Sequence, residues 1–332
     1  MKFRLAMCVV ALFSLLAAAC GGSDPAETAE EAQDTASNAD VAVNDPDDAS
    51  ADDTMADDAS ADDTMADDEV MADDVPQRIV SLSPSATEML FAIGAGDQVV
   101  AVDAYSYYPA EAPVTDLSGW EPNIEAIAGF EPDLVVTSAP LDGLSAIGVE
   151  NMVLPAAVDL DNIYAQIEQL GALTGHVGES AELVLQMQTD IDAVLASLPQ
   201  RDIPLTYYHE VDNTLYSVTS GTFVGYVYDL LGLENVADPA DADGSSFGYP
   251  QLSEEFLLTA DPDIIFLADT LCCEQTATTV ASRPGWDQIS AVQQGNIVEL
   301  NDDIVSRWGP RIVDFIQTAG QAVAELELKA ST

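Results

Sequence analysis

Glutamate occupies the same place in two stretches of this chain that are written on one template. Asn123-Ile-Glu125 runs on to Pro132-Asp133 and Leu-Val-Val, and Ser253-Glu-Glu255 runs on to Pro262-Asp263 and Ile-Ile-Phe. In each copy a residue suited to cap a helix is followed two positions later by the glutamate. Seven further on comes Pro-Asp, and then a short apolar run with the character of a buried strand. Two carboxylates repeated in this way suit docking on a partner with two-fold symmetry. The residue type also has a local reason: a glutamate in the first helical turn favours the positive end of the helix dipole by about 0.3–1 kcal/mol.

Other reactive residues point away from catalysis. His176 and His209 are far apart in the chain, neither lies beside a nucleophile, and no Gly-x-Ser-x-Gly elbow occurs. Gly94-Ala-Gly96 lacks the third glycine and the helix start of a phosphate loop. Two histidines are too few for a zinc or manganese centre, so neither a metal site nor a resident cofactor is expected. Vicinal Cys272-Cys273 admits a strained vicinal disulfide that staples a loop, or a ligand contact. The aromatic residues are more telling. Tyr105, Tyr107, Tyr108 and Trp120 follow strands of the first half, and Phe247, Tyr249 and Arg307-Trp308 do the same in the second. Rings in loops at strand ends line ligand clefts in α/β folds.

The elements that must position these residues alternate short apolar runs with helical patterns from Val75 onward, the texture of an α/β fold. Strands are predicted at 79–82, 99–102, 134–137, 152–154, 205–209, 215–218, 264–267 and 297–300. Helices are predicted after Ser83-Pro84 and over 161–173, 223–231, 254–259, 276–282 and 311–326. Between the halves, Ala181, Val184, Leu185, Ile191, Val194, Leu195 and Leu198 recur at helical spacing over 178–198. At 1.5 Å per residue that is about 30 Å of helix, enough to bridge one lobe to the next and to allow only modest closure.

Upstream of Val75 the chain cannot build a core. Lys2 and Arg4, an apolar run over 5–16 and small residues before Cys20 form an export signal, too short in its apolar part for the ~20 residues of a membrane span. Residues 21–75 hold 20 Asp and Glu and no Lys or Arg, and the decamer Ala-Ser-Ala-Asp-Asp-Thr-Met-Ala-Asp-Asp occurs twice, at 49–58 and 59–68. Such a segment buries too little to order itself and acts as a tether of roughly 40 Å root-mean-square span. The whole chain carries 59 acidic against 8 basic residues, a net charge of −51. That charge repels nucleic acid and anionic lipid, and excludes both as partners.

Several motifs together resemble the helical-backbone class of solute-binding proteins that serve ABC importers for iron–siderophore complexes and cobalamin. They are Arg78-Ile-Val-Ser-Leu-Ser-Pro-Ser-Ala-Thr-Glu88, Tyr105-Ser-Tyr-Tyr-Pro109, Gly119-Trp-Glu-Pro-Asn-Ile-Glu125, Tyr249-Pro-Gln-Leu-Ser253 and Arg307-Trp-Gly-Pro-Arg311. The resemblance covers about residues 77–328 and is nearest to the cobalamin-binding branch. It implies two α/β lobes with mostly parallel sheets, joined by one long helix, with the cleft between them. The implied boundaries are a lipoprotein signal over 1–19, a tether over 20–75, lobes over 76–174 and 200–332, and a connecting helix over 175–199. Cys20 matches the diacylated cysteine of a lipobox, with Ala17 where leucine is usual. Tyr105, Trp120, Tyr249, Asp303 and Arg307 match ligand contacts of the cobalamin branch, with Tyr249 in place of tryptophan. Glu125 and Glu255 match the glutamates that pair with arginines of a permease dimer, which works with a cytoplasmic ATPase.

The expectation is a monomeric, non-enzymatic lipoprotein on the outer face of the cytoplasmic membrane. It would capture cobalamin or a ferric hydroxamate, since Arg307 and at most Arg311 offer little positive charge to an anionic catecholate. A surface sensor on the same fold, and an exported hydrolase lacking any visible nucleophile–base pair, are the other readings.

Overall fold

The computed structural model describes residues 75–330, with side chains to 326. The signal, Cys20 and the acidic decamers lie outside the described residues.

The first lobe contains β1 (Ile79–Ser81), α1 (Pro84–Ala92), β2 (Val99–Val102), α2 (Ile124–Ala128), β3 (Leu134–Thr137) and β4 (Glu150–Val153). Its strands are parallel and ordered β2-β1-β3-β4. After α3 (Leu160–Thr174) and the 21-residue α4 (Val177–Ser197), the second lobe repeats the plan. It has β5 (Leu205–Glu210), α5 (Phe223–Leu230), β6 (Leu233–Asn235), α6 (Glu254–Ala260), β7 (Ile264–Leu267), α7 (Ala277–Ala281), α8 (Ser290–Gln294) and β8 (Ile297–Glu299). These strands are also parallel, in the order β6-β5-β7-β8. The chain ends with α9 (Asp302–Val305) and α10 (Ile312–Ala330).

The repeated template has a physical explanation in each lobe. Asn123 Oδ1 accepts from Ala126 N at 3.0 Å and Ser253 Oγ from Phe256 N at 3.1 Å, so each caps the helix that carries its glutamate. The aspartates of Pro-Asp then clamp the first strand of each sheet. Asp133 accepts from the backbone N–H groups of Gln77 (2.7 Å) and Arg78 (3.0 Å), and Asp263 accepts from that of Thr206 (2.9 Å). Their own N–H groups return bonds to the carbonyls of Arg78 and Thr206.

One hydrophobic core runs through both lobes. Val184, Met187 and Ile191 of α4 are buried in the same cluster as Met89 and Leu90 of α1 and as Tyr207 and Phe315 of the second lobe. Tyr228 holds that second-lobe end, with ring centroids 4.2 Å from Tyr207, 4.7 Å from Phe266 and 5.2 Å from Phe315. Such pairs add about 0.5–1.5 kcal/mol each beyond the area they bury. The connecting helix is thus packed on both sides rather than spanning solvent.

One predicted strand is absent from the sheet. Residues 215–218 follow β5 as a loop that touches Gln251 through a single bridge at Tyr216, because Leu215 has φ of 69° and breaks the extended run. The strand beside β5 is β6, whose three residues include two polar ones and leave no apolar run to recognise.

A charged cluster is enclosed in the second lobe. Glu210, fully buried at the end of β5, receives both terminal nitrogens of Arg283 at 2.6 Å. Asp269 is equally buried, with no hydrogen-bond donor on either oxygen. Burial first, and then the Glu210 charge, push its pKa up to about 8, so it holds its proton near neutral pH. His209, on the neighbouring position of β5, is moved the other way: burial takes it down to about 3.

These two shifts contribute opposite pH dependences to stability. The Asp269 contribution is complete below the unfolded value of about 3.9 and is lost as pH rises to about 8. The His209 contribution is complete above about 6.5 and is lost as pH falls toward about 3. From about pH 4 to 6.5 the slopes oppose. Between about 6.5 and 8 Asp269 acts alone, and stability should fall by up to about 1.4 kcal/mol per pH unit. Asp269→Asn should flatten urea-unfolding free energies across that window, and a wild-type profile already flat there would exclude a protonated Asp269.

Candidate functional site

The carboxyl ends of the parallel strands face one another across the lobes, and each predicted aromatic sits in a loop held there by specific bonds. Beyond β2, the buried Asp103 accepts from Tyr105 N and Ser106 Oγ, both at 2.7 Å, turning the chain so that the Tyr105 ring is 69% exposed. Gly119 lets the next loop press on the end of β1, since a Cβ there would lie 2.2 Å from the Leu82 carbonyl oxygen. Ser118 Oγ accepts from the N–H groups of Trp120 (3.2 Å) and Glu121 (2.9 Å), and Trp120 emerges 72% exposed. An exposed tryptophan held by so constrained a loop marks a contact surface.

In the second lobe the Asp241 carboxylate accepts from Ser246 N and Gly248 N, both at 2.7 Å, and so shapes the loop carrying Phe247 and Tyr249. Phe247 has φ of 52° and is 84% exposed, a left-handed backbone for an aromatic residue with no packing to hold it. Tyr249, Phe247 and Trp308 wall a cavity of about 330 Å³ that His209 and Asp302 also line, together with Ala156 and Ala157 of the first lobe. The cavity therefore lies between the lobes at the ends of β5 and β7.

Asp303 and Arg307 meet on the segment whose Asp302, Ser306 and Trp308 line the cavity, tied into a network that no local sequence signal announces. Glu88, on the buried face of α1 in the first lobe, accepts from Arg307 Nη1 at 2.9 Å and from Arg311 Nε at 2.8 Å. Arg307 Nη2 also donates to Asp303 (2.9 Å) and to the Tyr105 carbonyl (3.1 Å). Tyr107 OH donates to the other oxygen of Asp303 at 2.6 Å. The Asp303 bond adds to the partial burial that raises the Tyr107 pKa, so the hydroxyl stays a donor. Arg307 and Arg311 lie over the rings of Tyr107 (5.1 Å) and Tyr108 (3.9 Å). Two guanidinium groups thus face two carboxylates, and the cleft keeps no uncompensated positive charge among the described residues.

The structure therefore joins Tyr105, Asp303 and Arg307 directly, sets Tyr249 in the cavity wall and places Trp120 on a loop against the end of β1. Glu125 and Glu255 are exposed, each at the second position of its helix, and among the described residues neither lines the cavity or forms an ion pair. The Cys272-Cys273 turn follows β7 and is bound to the cavity-lining Asp302, which accepts from Leu271 N (3.0 Å) and Cys272 N (2.8 Å). The sequence signal for Glu88 is faint: a charged residue within the apolar face Met89-Leu90, just after a capped helix start.

Residues 79–304 match the periplasmic binding protein family. A cobalamin-binding protein of Halobacterium salinarum is 32% identical over 259 residues, covering 74% of this chain and 69% of that one. Among solved structures, the periplasmic vitamin B12 binding protein of Vibrio cholerae superposes with a TM-score of 0.60 at 28% identity, covering 77% of this chain and 99% of that one. A possible iron-binding periplasmic solute-binding protein from Staphylococcus epidermidis gives a TM-score of 0.63 at 25% identity, covering 75% and 98%.

The Glu88 network sets a stability test. Glu88→Gln leaves two arginines buried against a neutral amide, and breaking a buried pair in this way costs about 3–5 kcal/mol. Chemical denaturation should show a loss of that size, whereas Glu125→Gln on the surface should stay within about 0.5 kcal/mol. A loss at Glu88 no larger than at Glu125 would mean that the network does not join the lobes.

Proposed function

The chain belongs to the periplasmic binding protein family, is a solute-binding protein of the ABC-import type rather than an enzyme, and we propose that its cargo is a corrinoid of the cobalamin kind. One observation carries this reading: the cleft has aromatic walls, and its arginines are already neutralised by Glu88 and Asp303. A chelate rich in carboxylates or catecholates would bring negative charge into a site without a counter-charge and lose several kcal/mol in desolvation. A corrinoid is ringed by uncharged amides and presents broad apolar faces, which aromatic walls reward. The cavity of about 330 Å³ would take part of such a ligand, with the rest against Tyr105 and Trp120. The cobalamin- and vitamin B12-binding relatives support the same choice. A neutral ferric hydroxamate meets the charge condition too and is the second reading.

Delivery in this scheme uses Glu125 and Glu255 against a permease dimer coupled to a cytoplasmic ATPase, with diacylated Cys20 holding the protein at the outer face of the membrane. The two glutamates occupy equivalent places in equivalent lobes, and neither is occupied by a side-chain partner among the described residues.

Tryptophan fluorescence should fall saturably with cyanocobalamin and respond far less to hemin, and Trp120→Ala should weaken cyanocobalamin binding about tenfold or more. A response to hemin without one to cyanocobalamin would overturn the assignment. Glu125→Arg with Glu255→Arg should leave that affinity unchanged while uptake by the reconstituted importer drops at least tenfold. Lost ligand affinity instead would place these residues in the cleft.

A further inference from the structure

We infer that His209 is a ligand contact whose Nε2–H donates a hydrogen bond into the cleft, to an uncharged carbonyl oxygen of the bound chelate. Taken with the corrinoid reading above, on which this part rests, that oxygen belongs to a peripheral amide.

The argument begins with Tyr228, which is fully buried and whose hydroxyl meets His209 Nδ1 at 2.9 Å. Among the described residues it has no other hydrogen-bond partner. A buried phenol must place its hydrogen on an acceptor, and Nδ1 is the acceptor present. The Nδ1 lone pair is therefore used, and a neutral ring must carry its hydrogen on Nε2. The opposite tautomer would set two hydrogens against each other or leave the phenol hydrogen buried without a partner. Burial keeps the ring neutral, as its lowered pKa also indicates.

The ring lines the cavity alongside Tyr249, Thr222 and Trp308. Among the described residues Nε2 makes no bond, and it is not among the polar atoms that are sealed off without a partner. It therefore opens on the cavity as a donor. This tautomer has no lone pair on Nε2, so His209 does not coordinate a metal from the cleft. A neutral donor in a wall without free cations selects a neutral acceptor, which distinguishes an amide or hydroxamate oxygen from a carboxylate.

The test begins with the unliganded protein carrying 15N-labelled histidine. His209 should give the Nε2–H pattern, unchanged from pH 5 to 8, whereas an Nδ1–H pattern or a titration in that window overturns the assignment whatever the ligand. With cyanocobalamin at saturation the Nε2–H proton resonance should shift and its exchange with water slow, and an unmoved resonance in the bound protein also overturns it. H209F/Y228F replaces both partners with rings of similar shape and should bind about threefold to tenfold more weakly. Unchanged affinity in that variant argues against the contact. If the wild type shows the expected tautomer but ignores cyanocobalamin, the corrinoid reading has failed, and the same resonance and variant are then read with a ferric hydroxamate, where no shift and no loss reject the contact itself.

Discussion

The facing surfaces of the two lobes are held by one buried carboxylate. Glu88 reaches from α1 of the first lobe to Arg307 and Arg311 of the second, and Asp303 and Tyr107 complete the circuit. Removing charges from water costs several kcal/mol per ion, recovered only when each is well paired, so such a network is either complete or strongly destabilising. Its completion has two results. It limits how far the lobes can part at this link, and it uses the positive charge that would otherwise greet an anionic ligand.

The rest of the architecture repeats itself around that link. Each sheet is parallel with the same strand order, each first strand is held by a Pro-Asp carboxylate, and each glutamate stands at the second position of the helix leading into that clamp. Because α4 is packed into a core shared by both lobes, the spacing between Glu125 and Glu255 is set by rigid elements rather than loops. The cleft, in contrast, is furnished by loops, each fixed by its own aspartate: Asp103 for Tyr105, Asp241 for Phe247 and Tyr249, and Asp302 for the cysteine turn.

Much of this could be read from the residues, and the failures have physical causes. Capped helix starts and buried strands depend on neighbours in sequence, so α1, α4, β3 and β7 are visible in the chain. β6 is three residues long with polar members, and its presence follows from where β5 needs an edge partner. Arg307 was legible as a functional arginine because of its motif, but its partner Glu88 lies 219 residues away and nothing local announces the pairing. No neighbour in sequence marks His209 as functional, because the group that orients its proton is Tyr228, nineteen positions on.

The placement of the arginines has a last consequence. Arg283, Arg307 and Arg311 are turned inward onto carboxylates, while Glu111, Glu125, Glu131 and Glu255 are among the acids that the described surface exposes. The described surface is therefore predominantly anionic, and these three cations serve as internal mortar. Added salt screens that outer field over a Debye length of about 10 Å at 0.1 M and leaves the dry contacts of the cleft nearly untouched. Under the proposed function, ionic strength would thus act on encounter with a basic partner and not on capture of a neutral cargo, separating two tasks of one protein without any change in its shape.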